Sequence, residues 1–198
     1  TGMRASEATP IVVDGIMYMP TPYSRVIALE AHTGKELWVY ESPAAVTNRG
    51  VEYWPGEGAA PPMVLFVSDG KLVGLNARTG QPVPTFGNNG MVDFREGVTN
   101  GFTTGQISLS SPPKVYKNLV ITGIRVQESP SLGYAGDTRA WDLKTGKLVW
   151  QFHHVPQPGE LGHDTWEGDS WRNRSGANTW GFISVDPALG LVYLPIGS

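Results

Sequence analysis

The stretch Ala140-Trp141-Asp142-Leu143-Lys144-Thr145-Gly146-Lys147-Leu148-Val149-Trp150 decides the fold, because it is one of three copies of a single pattern. The other two copies are Ala28–Trp38 and Gly74–Pro84. Each copy has an apolar run, a polar Thr-Gly turn and a second run with Trp or Pro four residues after the glycine. Glycine allows the positive φ that a tight turn needs, so each copy predicts two strands joined by a turn.

The spacing of the copies predicts how these strands assemble. Gly34 and Gly80 are 46 residues apart, and Gly80 and Gly146 are 66 residues apart. A period of about 40 to 50 residues with one insertion is typical of four-stranded propeller blades, which must stack because one blade cannot bury both faces. We therefore predict an all-β fold, a partial β-propeller of about three and a half antiparallel blades. The predicted blades cover residues 9–41, 60–86, 107–152 and 178–198, the last one incomplete.

An open arc of this size leaves apolar blade faces uncovered, so we expect the chain to be part of a longer protein. The composition agrees with a β fold, because 25 glycines and 16 prolines among 198 residues favour short strands joined by turns over helices.

Charge and cysteine content exclude several classes of function. The net charge is −3 and the Lys and Arg residues are scattered, so the basic surface expected of a nucleic-acid binder is missing. The chain has no cysteine, which excludes disulfides, thiolate metal sites and a cysteine nucleophile. No apolar run approaches the roughly 20 residues that span a bilayer.

Four further motifs point to a family. They are Ser6–Pro10, Asn48–Gly56, Thr165–Trp171 and Gly176–Gly181. Together, and in this order, they resemble the pyrroloquinoline quinone (PQQ) dependent dehydrogenases, which are eight-bladed propellers that oxidise alcohols or sugars. The resemblance runs over essentially the whole chain and implies that it covers about the first half of such a protein.

The Thr-Gly repeat resembles the tryptophan-docking motif of this family, in which each indole wedges between adjacent blades. Trp38 and Trp150 match the motif, whereas Pro84 departs from it. A large flat ring with one N–H donor suits a buried joint between blades, so these tryptophans are interpreted as structural.

The resemblance implies that three residues bind PQQ. Trp180 matches the indole that forms the floor under the planar quinone, although an ordinary core tryptophan is the alternative. Arg49 matches a quinone-contacting arginine, whose guanidinium fork suits carboxylates and quinone oxygens. Glu7 matches a carboxylate that approaches the quinone from the central channel, and its alternative is a surface residue near a chain end.

Other positions are implied by the same match. Glu128 falls near a carboxylate ligand of the catalytic Ca²⁺, and Ser110 and Arg125 approach the cofactor. Some family members carry two adjacent cysteines shortly before the cofactor arginine, where this chain has Ala44 and Ala45, and this argues against the classical methanol-oxidising branch.

The implied function is a PQQ-dependent alcohol or glucose dehydrogenase that transfers hydride to the quinone and passes electrons to cytochrome c or ubiquinone. An Asp would remove the hydroxyl proton, and in the family this general base follows the last residue of this chain, so we expect it beyond Ser198. The resemblance also implies a periplasmic location, or one facing the periplasm at the inner membrane. Any membrane association would arise through parts outside this chain.

Two non-enzymatic alternatives remain open at this stage. One is a non-catalytic PQQ-like propeller that acts as a protein–protein scaffold in outer-membrane assembly, and the other is a lectin-like sugar-binding propeller. A scaffold would keep Trp38 and Trp150 but would not need Arg49, Glu7 or the motifs between Trp166 and Trp180. The presence of all of these residues favours the enzyme.

Overall fold

The computed structural model describes residues 6–197 and consists of short antiparallel strands joined by turns and loops. The first sheet has four strands in the order β1-β2-β3-β4, which are Ile11–Val13, Ile16–Thr21, Arg25–Glu30 and Glu36–Glu41. The second sheet has the order β5-β6-β7-β8, which are Glu52–Trp54, Met63–Ser68, Lys71–Asn76 and Met91–Asp93. These sheets are the first two blades.

The third blade again has four strands, and two strand pairs follow it. The third blade consists of β9 (Lys114–Tyr116), β10 (Leu119–Thr122), β11 (Thr138–Asp142) and β12 (Leu148–Phe152). The later pairs join β13 (Asn178–Thr179) to β16 (Ile196–Gly197) and β14 (Ser184–Asp186) to β15 (Leu191–Tyr193). Between β12 and β13 lies one 3₁₀ turn, His163–Thr165. The strands therefore form three complete blades and the elements of a fourth.

The second blade extends beyond the range predicted from the sequence, residues 60–86, at both ends. Its first strand, β5, coincides with the one short strand that the sequence indicates at residues 51–54, within an otherwise loop-like segment. Its last strand, β8, lies in the Gly- and Asn-rich segment 86–106, which the sequence indicates as the insertion. β8 has three residues next to Gly90, so its local pattern is too short to predict a strand. Pairing of Met91 with Val73 across the sheet makes β8 a strand.

Asp-Gly pairs form the tight turns within the blades. Asp14 and Gly15 have φ values of 50° and 77°, and Asp69 and Gly70 have values of 50° and 67°. Two consecutive positive φ values match the right-handed twist of the flanking strands, which is why Asp-Gly is favoured in two-residue hairpins.

The core lies between the sheets, as expected of stacked blades. All six residues of β6 are buried, because this inner strand has a neighbouring blade on each face. One face of the second blade packs with residues of the first blade, such as Val26, and the other packs with residues of the third, such as Trp141. Trp54 Nε1 donates to the Lys117 carbonyl at 3.0 Å, which joins the second blade to the third.

The first docking tryptophan links two blades. Trp38 Nε1 donates to the Ala77 carbonyl at 2.9 Å, and its ring covers Gly80, the glycine of the next Thr-Gly turn. A Cβ at Gly80 would lie 2.7 Å from this ring, so the glycine is required for docking as well as for its positive φ.

The junction between the second and third blades has no docking indole, because the second copy of the motif has Pro84 in place of the tryptophan. The backbone of Gly87 packs against Gly146, and Gly87 N donates to the Thr145 carbonyl at 3.0 Å. A main-chain contact thus takes the place of an indole. Trp150 packs with a cluster of the third and fourth blades that contains Ile121 and Ile183.

None of the helical segments within residues 6–197 is long and apolar enough to cross a membrane.

Candidate cofactor site

The site is built on backbone hydrogen bonds that join the starts of three blades. Arg49 lies in the loop between β4 and β5, and its N–H donates to the Ser110 carbonyl at 3.1 Å. The Arg49 carbonyl accepts a hydrogen bond from Thr9 N at 3.0 Å. Gly50 has a φ of 150°, and a Cβ there would lie 3.1 Å from the Thr9 carbonyl oxygen. These contacts fix the backbone of Arg49 between the segments that precede β1 and β9.

The side chains of Glu7, Arg49 and Trp180 meet at this point. Arg49 Nε donates to Glu7 Oε2 at 3.0 Å, and Asn48 Nδ2 lies 3.5 Å from the same oxygen. The guanidinium carbon of Arg49 lies 5.3 Å from the centroid of the Trp180 ring, within the range of a cation–π contact. Three residues that the sequence assigned to cofactor binding are therefore neighbours.

Trp180 differs from the core tryptophans in its exposure. It is 40% exposed, whereas Trp54 and Trp141 are 3% and 4% exposed. Its backbone is held by the Ser111 hydroxyl, which donates to the Trp180 carbonyl at 2.8 Å. A Cβ on Gly197 would lie 2.9 Å from Trp180 Nε1, so this glycine leaves room for the ring. An anchored backbone with an accessible ring is what a stacking platform requires.

The structure places Ser110 and Arg125 beside this group rather than in side-chain contact with it. Ser110 meets Arg49 through its carbonyl and lines a cavity of about 400 Å³ that also includes Ala44 and Ala45. Arg125 is exposed, and its backbone N–H and C=O both pair with Ser108, at 2.7 and 3.0 Å. The Arg125 side chain lines an adjacent cavity of about 520 Å³.

Glu128 is exposed and lies next to the segment that leads to Trp180. The Glu128 Cα lies 3.8 Å from a Cβ built on Gly176, and the preceding Gln127 carbonyl accepts a hydrogen bond from Ser175 Oγ at 2.7 Å. Nearby, the buried Oδ1 of Asn178 has no hydrogen-bond partner among the described residues.

The part of the chain that the structure describes contains no group of three His, Asp or Glu side chains arranged to hold a metal ion. A hard cation takes six to eight oxygen ligands, which include Asn and backbone carbonyl oxygens as well as carboxylates.

Several residues around the site were missed by the sequence interpretation. Ser111 is fully buried and bonds Trp180, and a serine beside Ser110 carries no local signal of this role. Gly123 lies so close to the Thr179 carbonyl that no Cβ would fit there. Close packing of two backbones explains the glycine, but only the tertiary contact reveals it.

His154 is the third missed residue. Its Nε2 lies 3.0 Å from Thr138 Oγ1 and 3.4 Å from Thr179 Oγ1, next to the residue that precedes Trp180. Burial lowers the pKa of His154 below its ordinary value, against the opposing effects of Asp137 and a backbone hydrogen bond at Ala177. A neutral imidazole therefore lies under the segment that carries the exposed indole.

The Trp180 ring and the Arg49 guanidinium together fit a flat, anionic ligand. The accessible Trp180 ring can stack on a planar molecule, and the Arg49 guanidinium offers a fork to carboxylate or quinone oxygens. The Glu7 carboxylate holds the Arg49 guanidinium over the Trp180 ring. PQQ is planar and carries three carboxylates, so these residues fit it.

The stack of four-stranded blades defines a partial β-propeller, and the exposed indole and the guanidinium at a blade junction form its candidate ligand site. The family model of the PQQ glucose/ethanol/alcohol dehydrogenase β-propeller domain matches residues 1–198, so the chain belongs to this family.

Named relatives agree with this assignment. The chain is 33% identical to subunit 1 of methanol dehydrogenase (cytochrome c) from Methylorubrum extorquens, over 99% of this chain and 34% of the relative. It is 32% identical to the quinoprotein glucose dehydrogenase of Gluconobacter oxydans, over 99% of this chain and 27% of the relative. The chain thus spans about a quarter to a third of the length of these curated relatives. This share is smaller than the half that the sequence resemblance implied.

The structure of the quinohemoprotein alcohol dehydrogenase ADHIIG from Pseudomonas putida HK5 superimposes with a TM-score of 0.76 at 31% identity. The match covers 98% of this chain and 28% of that one. The partial propeller predicted from the Thr-Gly repeat is confirmed.

Proposed function

We propose that the full-length protein is a PQQ-dependent dehydrogenase that oxidises an alcohol or a sugar. The observation that carries this proposal is the meeting of Glu7, Arg49 and Trp180, which lie far apart in sequence and form one accessible site. A propeller that served only as a scaffold would need the docking tryptophans but not an exposed indole beside a guanidinium.

Each residue has a role that its environment supports. The Trp180 ring stacks against one face of the cofactor, and its anchored carbonyl keeps the ring in place. Arg49 donates hydrogen bonds to cofactor oxygens, and Glu7 holds the guanidinium through the contact at 3.0 Å. When bound, the quinone supplies a two-electron acceptor for hydride from the substrate carbon.

We propose that metal binding and proton transfer also use groups from the rest of the protein. We propose that Glu128 contributes one oxygen ligand to Ca²⁺ or a similar hard cation, which would need further oxygen donors from the rest of the protein. The general base is expected to be an Asp beyond Ser198. Ser110 and Arg125 extend the proposed site from their positions along the two adjoining cavities.

The cellular setting forms part of the same proposal. We propose a location in the periplasm, or facing it at the inner membrane, and electron transfer to cytochrome c or ubiquinone. One support for the first acceptor is that the matched methanol dehydrogenase carries cytochrome c in its name. The choice between alcohol and sugar depends on substrate contacts beyond the described residues.

The test is reconstitution of the full-length protein with PQQ and Ca²⁺, followed by a dye-linked assay with a panel of alcohols and sugars. We expect substrate-dependent dye reduction and a quinone absorption band in the purified holoprotein. A protein that shows no quinone band and no oxidation after reconstitution would refute the proposal.

A further inference from the structure

Ser111 connects the third blade to the candidate floor of the cofactor site. Its side chain is 0% exposed, and its Oγ donates to the carbonyl of Trp180 at 2.8 Å across 69 residues of sequence. The preceding residue, Ser110, accepts the hydrogen bond from Arg49 N at 3.1 Å. Two consecutive residues therefore hold the backbones of Arg49 and Trp180.

The position of Trp180 in its own blade makes this bond important. The β13 strand ends at Thr179, so Trp180 lies beyond the paired residues of that strand. The Thr179 carbonyl packs against Gly123, which restrains the backbone one residue earlier. The Ser111 hydroxyl acts at Trp180 itself, directly next to the Cα that carries the ring.

Removal of the hydroxyl would leave the partly buried Trp180 carbonyl without this hydrogen-bond partner. Such a group recovers a partner by shifting toward water or toward another donor, and here the shift would move the Trp180 ring relative to Arg49. A planar ligand that contacts both side chains would lose either the stacking contact or the hydrogen bonds to the guanidinium. A fully buried Ser111 cannot itself touch such a ligand.

We propose that Ser111 is a positioning residue: it fixes the position of the Trp180 ring relative to the Arg49 guanidinium and thereby controls cofactor affinity. This inference rests on the proposed function, because the ligand it concerns is PQQ.

The experiment titrates full-length apoprotein with PQQ and follows quenching of tryptophan fluorescence. Ser111→Ala is expected to raise the Kd for PQQ about tenfold, the effect of one lost buried hydrogen bond. In a Trp180→Ala background the same substitution should leave the Kd unchanged, because there is no indole to position. A merely structural serine would weaken binding equally in both backgrounds.

Two further variants keep the test decisive. Ser111→Cys replaces the hydroxyl by a slightly larger thiol, which is a weaker donor, so its Kd should lie between those of the wild type and Ser111→Ala. Thr122→Val is the matched control: it removes a buried hydroxyl of the third blade that bonds the Arg139 carbonyl at 3.3 Å, and it should lower the melting temperature without changing the Kd.

The outcomes separate the two proposals. Wild-type protein that binds no PQQ would overturn the proposed function. Wild-type protein that binds PQQ, with the same Kd in Ser111→Ala or in a folded Ser111→Cys variant, would overturn the role of Ser111 alone.

Discussion

At the scale of single residues, burial separates tryptophans with different roles. Trp54 and Trp141 are buried, and each donates its Nε1 proton to an oxygen at 3.0 Å. Trp180 instead leaves part of its ring accessible, beside Arg49. Within residues 6–197 this ring surface is available to a planar ligand.

Replacement of Trp180 by Ala should weaken PQQ binding more than it weakens the fold. We expect at least a tenfold rise in the Kd for PQQ, because the stacking surface is lost. Chemical denaturation should show a small change, since much of the ring is already in contact with solvent. In contrast, the control Trp141→Ala should lose about 3 to 5 kcal/mol of stability, as expected for a buried aromatic side chain. A Trp180→Ala protein that unfolds while retaining PQQ affinity would identify Trp180 as a core residue.

The partly buried His154 predicts a dependence of stability on pH. Burial lowers its pKa in the folded state below the value near 6.5 of the unfolded chain. The unfolded state therefore binds more protons, so the stabilisation is complete above pH 6.5 and is lost as the pH falls through the folded pKa. His154→Gln should flatten the decrease in the free energy of unfolding between pH 7 and pH 5, measured by urea denaturation.

The control for this prediction is His32→Gln, a substitution in an exposed turn. It should leave the pH dependence of the wild type unchanged. An equally steep decrease in the His154→Gln protein would show that other groups cause the acid sensitivity.

At the scale of elements, the Thr-Gly repeat joins blades as well as strands. Trp38 lies on the fourth strand of one blade and bonds the turn of the next, and its ring covers the glycine of that turn. The resemblance of the repeat to the tryptophan-docking motif implied this joint. The second copy shows the limit of such a pattern, since Pro84 replaces the indole and a backbone contact of Gly87 closes the junction.

Trp38→Ala should loosen the junction of the first two blades. We expect a loss of about 2 kcal/mol, less than for a fully buried tryptophan because the Trp38 ring is half-buried. The adjacent Leu37 is exposed on the same strand, and Leu37→Ala should change stability by less than about 0.5 kcal/mol. Equal losses from both variants, measured by urea denaturation of the full-length protein, would contradict the docking role.

The strands themselves were predictable only where their patterns are long. The six-residue strands β3 and β7, which flank Thr-Gly turns, follow directly from the repeat. For β5 the sequence indicates only a short strand inside a loop-like segment, and for β8 it indicates none, because three residues carry no periodicity. β8 is a strand because its neighbour β7 pairs with it.

At the scale of the whole molecule, the candidate site is a product of blade stacking. Glu7 precedes the first blade, Arg49 precedes the second, Ser111 precedes the third and Trp180 follows the first short strand of the fourth. The starts of successive blades meet near one axis in a propeller, so residues from all four come together there. A ligand bound at this point contacts several blades at once.

Cofactor binding should therefore stabilise the full-length protein. PQQ at 100 times its Kd is expected to add about 2.7 kcal/mol to the free energy of unfolding, because it binds the folded state alone. The melting temperature, followed by circular dichroism, should rise with PQQ concentration, and the rise should be smaller for Trp180→Ala at the same concentration. A wild-type melting temperature that does not respond to PQQ would contradict a site shared between blades.

The sequence by itself determined the class of fold and the types of residue at the site. Thr-Gly turns and alternating apolar runs act over a few residues, so glycine conformation and strand periodicity can be predicted locally. Only the tertiary structure decided which residues meet: Arg49 with Glu7 across 42 residues, and Ser111 with Trp180 across 69. Such contacts depend on how neighbouring blades stack, and local sequence patterns do not predict which residues meet across 42 or 69 positions.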